Sequence, residues 1–412
     1  MQKSYRRTII ACYTANITMA VVGNLPPLLF LTFHEQYGIS FTLLGSLVLL
    51  NFVTQLSVDL IFSFFSHKFN IPLVVKIMPV ISLAGLVLFA LAPVLFPGAV
   101  YLGFAIGTVI FSAASGLAEV LISPVIAAIP SKNPERAMSL LHSIYAWGAV
   151  GTVLIATALM LLCKGISWQW LVALSALVPL CSAIMFAGAE IPAMQTPEKT
   201  SGAINFLKDK GVWLCILAIF LGGSSECTMA LWASSYLEQA LGIPKALGDI
   251  FGVALFSATL AFGRSLFAKI GKYPSRAILW GAIGATGCYL IAALSPFAVV
   301  GLLGCALTGF CVSMMWPGSL LVASDRYPTG GVLIFALMAA GGDMGASVGP
   351  QLVGMITDFA IANSTVASLA ERLALAPEQL GMKIGMLIGM LFPLCAIPLY
   401  AHFRKQDKKK IA

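Results

Sequence analysis

The chain has 412 residues, of which 59% are hydrophobic and only 10% are charged, whereas a soluble domain carries about 25% charged residues. This composition excludes a soluble globular protein, because a single core stops growing at roughly 250 to 300 residues and further apolar residues would face water. The net charge of +8 could indicate a nucleic-acid partner, but the basic residues cluster in short segments between apolar runs, which favours a membrane explanation.

Twelve apolar runs are long enough to cross a bilayer, which takes about 20 mostly apolar residues. In chain order they are 8–33, 41–65, 71–95, 99–129, 137–163, 168–188, 211–239, 246–269, 274–294, 297–324, 330–360 and 381–403. They predict an all-α integral membrane protein with twelve transmembrane helices. The first run is too long for the apolar part of a cleaved signal peptide, so we expect it to be a retained span.

The longest polar stretch lies near the middle of the chain and divides six runs from six. It predicts two pseudo-symmetric halves: an N-terminal six-helix bundle over 1–188, a cytoplasmic central loop over 189–210 and a C-terminal six-helix bundle over 211–412. A second polar insertion, 362–380, separates the last two spans.

Lys and Arg fix the expected orientation, because positively charged loops stay in the cytoplasm. With twelve spans, twenty of the 24 Lys and Arg residues fall on one side, and only Lys164, Lys245, Arg372 and Lys383 fall on the other. We therefore expect a multi-pass protein of the cell (inner) membrane with both termini in the cytoplasm. The basic tail is expected to anchor this topology and to contact membrane lipid, without binding nucleic acid.

The fourth and tenth spans share a repeat. Gly116 precedes Pro124 by eight residues, as Gly309 precedes Pro317, and the offset is 317 − 124 = 193 residues, close to half the chain. Internal repeats of this kind are typical of transporters, whose midplane site opens alternately to either side.

Ionisable residues inside spans cost roughly 2.5 to 3.5 kcal/mol, so each suggests a function. The embedded acids are Asp59, Glu119, Glu226 and Asp343, while Arg264 is expected toward a cytoplasmic end, leaving no cation at mid-depth. Burial without a cation favours the neutral carboxyl form, which allows proton uptake and release. We predict proton coupling by Glu119, Glu226 and Asp343, and structural or gating roles for Asp59 and Arg264.

The same charge pattern argues against an anionic solute, since buried anions need Arg or Lys donors. A neutral polyhydroxylated molecule or a cation fits better. Aromatic faces, amides and hydroxyls can line a sugar site, and the candidates are Asn24, Asn51, Gln55, His142, Tyr145, Trp147, Trp232 and Trp316. Alternatives stay open: tryptophans often anchor spans at the interface, His142 suits helix packing, and Asn24 could satisfy backbone freed by Pro26 and Pro27.

Enzyme signatures such as a Walker A loop or an H-E-x-x-H motif are missing from the sequence. The nine cysteines fall in apolar runs without metal-type spacing. We therefore expect neither enzymatic activity nor a metal or cofactor. The coupling ion is expected to be a proton, with sodium as an alternative.

Several motifs resemble those of the major facilitator superfamily, and within it the fucose–galactose–glucose:proton symporter branch. The similar segments are 116–124, 139–149, 222–232 and 309–319. In the branch a glutamate precedes Asn-Pro in the fourth span, where Ser123 replaces the Asn here, and Phe is common where Trp316 stands. The resemblance covers essentially the whole chain and implies a twelve-helix transporter in which Glu119 is the proton-linked acid and a candidate solute contact.

The chain also departs from that family. The loop after the second span, 63–71, keeps only a basic residue of the usual Gly-x-x-x-Asp-Arg-x-Gly-Arg pattern, and its counterpart at 263–272 lacks the Asp. No Asp or Glu precedes Glu35, whereas the branch carries a coupling acid in its first span.

These observations predict a monomeric secondary active transporter that moves a small, neutral, sugar-like solute by proton symport with alternating access. One alternative is proton-antiport efflux of lipophilic or cationic compounds. Another, of a different class, is a receptor or scaffold that no longer transports.

Overall fold

The computed structural model describes residues 5–39, 41–162, 167–194, 206–244 and 249–411. Its helices are Arg6–Leu28, Phe30–Tyr37, Phe41–Phe65, Ile71–Leu95, Val100–Ala128, Pro134–Leu162, Trp168–Ser175, Leu177–Ala187, Lys210–Gln239, Leu255–Ile270, Pro274–Leu294, Ala298–Val312, Met315–Arg326, Gly331–Ala362, Ser364–Arg372 and Pro377–Ile411. A 3₁₀ turn covers Ser66–Lys68, and a π-helical turn, Asp249–Ala254, leads into Leu255–Ile270.

Twelve helical segments of the described chain are long and apolar enough to cross a membrane, which confirms the predicted number. Spans 1 to 12 are Arg6–Leu28, Ser46–Lys68, Ile71–Leu95, Val100–Ala128, Pro134–Met160, Trp168–Ala187, Lys210–Ala233, Phe251–Ile270, Pro274–Leu294, Ala298–Arg326, Gly331–Ala362 and Pro377–Gln406. The middle of the predicted central loop, 195–205, lies outside the described residues, as do Lys164 and Lys245 of the charge tally. The second polar insertion contains the short helix Ser364–Arg372.

The chain forms two compact units, Met1–Lys208 with Tyr327–Ala340, and Asp209–Arg326 with Gly341–Ala412. They are called the N unit and the C unit below. Spans 1 to 6 belong to the N unit, and spans 7 to 10 and 12 to the C unit.

The repeated glycines make the same contact in each unit. A Cβ at Gly116 of span 4 would lie 3.2 Å from the Gln55 Cα of span 2, and one at Gly309 of span 10 would lie 2.5 Å from the Thr259 Oγ1 of span 8. Both glycines thus let the fourth helix of a half approach the second helix closely. The sequence repeat therefore marks a repeated helix–helix contact.

The repeated prolines, in contrast, have different effects. Span 4 is one continuous helix that includes Pro124, whereas span 10 is interrupted between Val312 and Met315. Pro317 then lies in the first turn of the second helical segment, where its missing N–H is tolerated. The Ser313 hydroxyl donates to the Phe310 carbonyl at 2.7 Å, a local bond that competes with the helix ladder.

Glycines also join spans 7 and 11 within the C unit. Gly341, Gly345 and Gly349 repeat every four residues on one face of span 11 and lie against Ile216, Phe220 and Ser224 of span 7. The Ser224 hydroxyl donates to the Gly345 carbonyl at 3.0 Å. We call this contact the glycine seam. The glycines around Asp343 thus let span 7 approach span 11 closely.

An aromatic cluster closes one end of the N unit and was not predicted. Phe33 stacks on Phe104 with ring centroids 4.4 Å apart, and Phe89 stacks on Phe104 at 4.7 Å. The Trp168 indole packs edge-on against Phe33 and donates to the Tyr37 hydroxyl at 3.2 Å. Because these rings come from four separate helices, their spacing in the sequence shows no pattern.

Candidate functional site

Three uncharged polar side chains meet between spans 2 and 4 of the N unit. Asn51 Oδ1 accepts hydrogen bonds from Gln55 Nε2 at 3.0 Å and from Ser112 Oγ at 2.6 Å. We call Asn51, Gln55 and Ser112 the amide cluster. The structure thus brings together two of the predicted solute-binding residues and adds Ser112. The sequence did not predict Ser112, because nothing in its pattern distinguishes this serine from the other serines in apolar runs.

Glu119 and Asp59 lie beyond the amide cluster along the same two spans. Ser112 contacts Asn51 and, one turn later, Gly116 contacts Gln55, so spans 2 and 4 run parallel here. Glu119 lies seven residues after Ser112 on the same helical face, and Asp59, which is fully buried, lies one turn after Gln55. The helix register therefore places these two predicted acids at one level of the span 2–span 4 interface, next to the amide cluster.

The predicted residues of spans 1 and 5 divide into two groups. The Tyr145 hydroxyl lies beside Gly23 of span 1, and the half-buried His142 lies one turn away on the same side of span 5. Trp147, about 200° around the helix from Tyr145, is 48% exposed. The structure therefore separates Trp147 from its predicted neighbours.

Asn24 bonds within its own helix. Its Nδ2 donates to the Ala20 carbonyl at 2.8 Å, whereas Pro26 and Pro27 would free the carbonyls four residues before them, at Val22 and Gly23. The idea that Asn24 satisfies a proline-freed carbonyl is therefore wrong.

The C unit contains a buried ion pair, which corrects the expectation that no cation lies near the embedded acids. Arg264 of span 8 donates from Nη2 to both carboxylate oxygens of Glu226 of span 7, at 3.0 and 2.9 Å. The Arg264 side chain is 3% exposed and the Glu226 side chain 14%. The expectation took into account only the position of the Arg264 Cα near an end of span 8, whereas the long side chain reaches the Glu226 carboxylate.

Arg264 also contacts the interruption of span 10. Its Nε donates to the Ser313 carbonyl at 3.0 Å, which is the carbonyl that Pro317 cannot serve because proline has no N–H. One guanidinium thus joins spans 7, 8 and 10. We call Arg264, Glu226 and the Ser313 carbonyl the charged junction.

Trp316 and Asp343 lie near this junction in the C unit. The Trp316 ring covers Gly342, and a Cβ at Gly223 would lie 3.0 Å from it. Gly223 is one turn before Glu226 on span 7, and Asp343, 5% exposed, follows Gly342. The Trp316 ring therefore packs between spans 7 and 11, within one turn of Glu226 on span 7 and next to Asp343 along span 11.

Trp232 has a different position, farther along the glycine seam. Its Nε1 donates to the Pro350 carbonyl at 3.0 Å, and a Cβ at Gly354 would lie 2.9 Å from its ring. The polar end of Trp232 is thus used in joining spans 7 and 11, which fits a structural role better than the predicted solute contact.

Metal-binding groups of three or more His, Cys, Asp or Glu side chains do not occur among the described residues. The arrangement can offer hydrogen bonds, one aromatic face and acids able to hold a proton. These are means of binding and moving a solute.

Comparisons with known proteins agree with the twelve-helix fold. A family model described as Major Facilitator Superfamily matches residues 11–350, while no curated protein matches the sequence significantly. A structure of the Escherichia coli fucose:proton symporter FucP is 14% identical with a TM-score of 0.71, covering 96% of this chain and 99% of that one. FucP in the outward conformation gives 16% identity, a TM-score of 0.66 and the same coverage.

The proton:xylose symporter XylE, solved with a bound bromodeoxyglucose, is 14% identical with a TM-score of 0.72, covering 96% of this chain and 95% of that one. Likenesses at this identity establish the fold alone. The family model, in contrast, covers most of the sequence. We conclude that the chain belongs to the major facilitator superfamily and is a multi-pass membrane transporter, not an enzyme.

Proposed function

We propose that the chain carries a small, neutral, sugar-like solute by proton symport, with Glu119 as the proton-carrying acid. The observation that carries this proposal is the charge balance of the amide cluster and of the charged junction. The amide cluster is uncharged, and the charges of Arg264 and Glu226 cancel within 3.0 Å. A solute rich in hydroxyl groups would find uncharged donors and acceptors at the amide cluster and a charge-balanced pair at the charged junction.

An anionic solute is disfavoured on the same grounds. Arg264 could bind an anion, but its Nη2 and Nε are already committed to Glu226 and Ser313. Displacing a buried carboxylate would leave that charge unpaired, at a cost of several kcal/mol.

The proton role is assigned to Glu119 because of its place in the N unit. Glu119 shares a helical face with Ser112, two turns away, and lies about one turn beyond the level of Gln55. A proton taken up by Glu119 changes the charge beside the amide cluster, which is proposed to bind solute hydroxyl groups. Binding of the proton and binding of the solute would be coupled in this way. The symporters FucP and XylE have the same fold, which is consistent with the proposal.

Uptake into proteoliposomes tests the proposal. A panel of labelled neutral monosaccharides, a sugar phosphate and a lipophilic cation is offered with and without an inward proton gradient. We expect gradient-driven accumulation of at least one neutral sugar and none of the sugar phosphate. In the Glu119→Gln variant, gradient-driven accumulation should be lost, while exchange of labelled for unlabelled sugar without a gradient persists.

Two results would overturn this assignment. Proton release on addition of the lipophilic cation, without uptake of any sugar, would indicate efflux by antiport. Binding of solute without transport by the unmodified protein would indicate a receptor.

A further inference from the structure

The two charged residues of the charged junction differ in burial and in the bonds that they make. Arg264 is almost fully buried and bonds both to Glu226 and to the carbonyl that Pro317 leaves without a helix partner. Glu226 keeps 14% exposure. Glu226 is therefore the more accessible member of the pair.

The carboxylate retains hydrogen-bonding capacity. Two oxygens offer about four acceptor positions, and the Arg264 Nη2 occupies one on each. Each oxygen can accept one further bond from a hydroxyl group. Hydrogen bonds to an ionised acceptor are about twice as strong as neutral ones, so this position suits hydroxyl donors.

Protonation of Glu226 would undo the pair. Neutralising the carboxylate removes the negative charge with which the buried Arg264 pairs in this arrangement, which costs several kcal/mol. In this arrangement the ion pair favours the ionised form of Glu226, whereas a proton-coupling acid must accept and release a proton.

We infer that Glu226 is a permanently ionised acceptor for solute hydroxyl groups and that Arg264 is its positioning residue, an assignment that rests on the proposed function. The Trp316 ring of span 10 lies against Gly223, one turn before Glu226 on span 7, and adds an apolar surface to this part of the C unit. The solute class is thereby narrowed to molecules that present a hydroxyl group next to a C–H surface.

The experiment uses whichever neutral monosaccharide the panel shows to be transported, together with its monodeoxy derivatives. Sugar exchange without a gradient and gradient-driven accumulation are measured for Glu226→Gln and for Arg264→Lys. Glu226→Gln should raise the KM for the parent sugar about 10- to 100-fold, as expected for loss of a charge-assisted bond. It should leave the ratio of protons to sugar unchanged.

One deoxy derivative should distinguish binding from mere structural support. The derivative lacking the hydroxyl that contacts Glu226 should bind the unmodified protein weakly, and Glu226→Gln should weaken its binding no further. Arg264→Lys, which keeps the charge but loses the planar geometry, should raise KM less than Glu226→Gln does.

An unchanged KM in Glu226→Gln, or an equal loss for every deoxy derivative, would overturn this assignment while leaving the proposed function intact. If Glu226→Gln does not fold, Glu226→Asp and the doubly neutral Glu226→Gln/Arg264→Gln variant are subjected to the same comparison. Failure of the unmodified protein to transport any neutral sugar would instead overturn the proposed function, and the hydroxyl assignment with it.

Discussion

The N and C units share a backbone arrangement and differ in chemistry. Gly116 and Gly309 make equivalent close contacts between the fourth and second helices of each half. Between those helices, the N unit places amides and a hydroxyl group, whereas the C unit places an arginine that reaches a carboxylate on a third helix. Glycines fix the distance between helix backbones, so a repeat can preserve them while side chains diverge and take separate roles.

The glycine seam offers the largest expected effect, because a contact with backbone atoms cannot be relieved by moving a side chain. A Cβ at Gly345 would overlap the carbonyl group of Phe220. We expect Gly345→Ala to lower the free energy of unfolding by about 3 kcal/mol or more, at the top of the range for overpacking. Thermal unfolding in detergent measures the change.

Gly151 in span 5 is the matched control in the other half, since nothing lies within 4 Å of a Cβ there. Gly151→Ala should be neutral or stabilising by up to about 1 kcal/mol, because alanine is the better helix former. Equal losses at the two positions would show that the close approach of spans 7 and 11 does not exist.

Breaking the charged junction should have the next largest effect. Arg264→Met leaves Glu226 without its cation, and removing one partner of a buried pair costs about 3 to 5 kcal/mol. The lower end is expected, since Glu226 keeps 14% exposure. The double variant Arg264→Met/Glu226→Leu should recover most of the lost stability. No recovery would mean that Arg264 stabilises the fold through the Ser313 carbonyl rather than through Glu226.

The amide cluster should respond more weakly, because none of its members carries a charge. Asn51→Ala removes two hydrogen bonds, and interhelical bonds in membranes average about 0.6 kcal/mol. We expect a loss of about 1 kcal/mol for Asn51→Ala and about half of that for Ser112→Ala, by thermal unfolding. A loss as large as that of Arg264→Met would remove the contrast between the two halves.

The sequence predicted the helices well, since each span is a long apolar run and its length is set by the bilayer. The polar contacts were harder to predict. The spacing of Asn51 and Gln55, four residues apart on one helical face, indicated one side of the amide cluster, but Ser112 lies 61 residues from Asn51. The pairing of Glu226 with Arg264 was missed because Cα depth, read from the sequence, takes no account of a long side chain's reach.

The interruption of span 10 shows the same limit. Pro124 and Pro317 occupy equivalent positions of the repeat, yet only the second lies beside a helix break. The carbonyl that Pro317 leaves without a partner is served by Arg264, a contact made across 49 residues. A single-sequence pattern shows where a backbone carbonyl loses its donor and does not show which distant side chain replaces it.

An effect about as small as that of Ser112→Ala is expected at Trp232, whose indole joins spans 7 and 11 through the Pro350 carbonyl. Trp232→Phe removes one hydrogen bond and keeps most of the ring, so we expect a loss of about 0.6 kcal/mol and little change in the KM for the transported sugar. Trp280, 56% exposed on span 9, is the control, and Trp280→Phe should have no measurable effect on unfolding. If Trp232→Phe raises the KM and leaves the stability unchanged, Trp232 contacts the solute after all. The solute-binding residues of the C unit would then include a residue outside the charged junction.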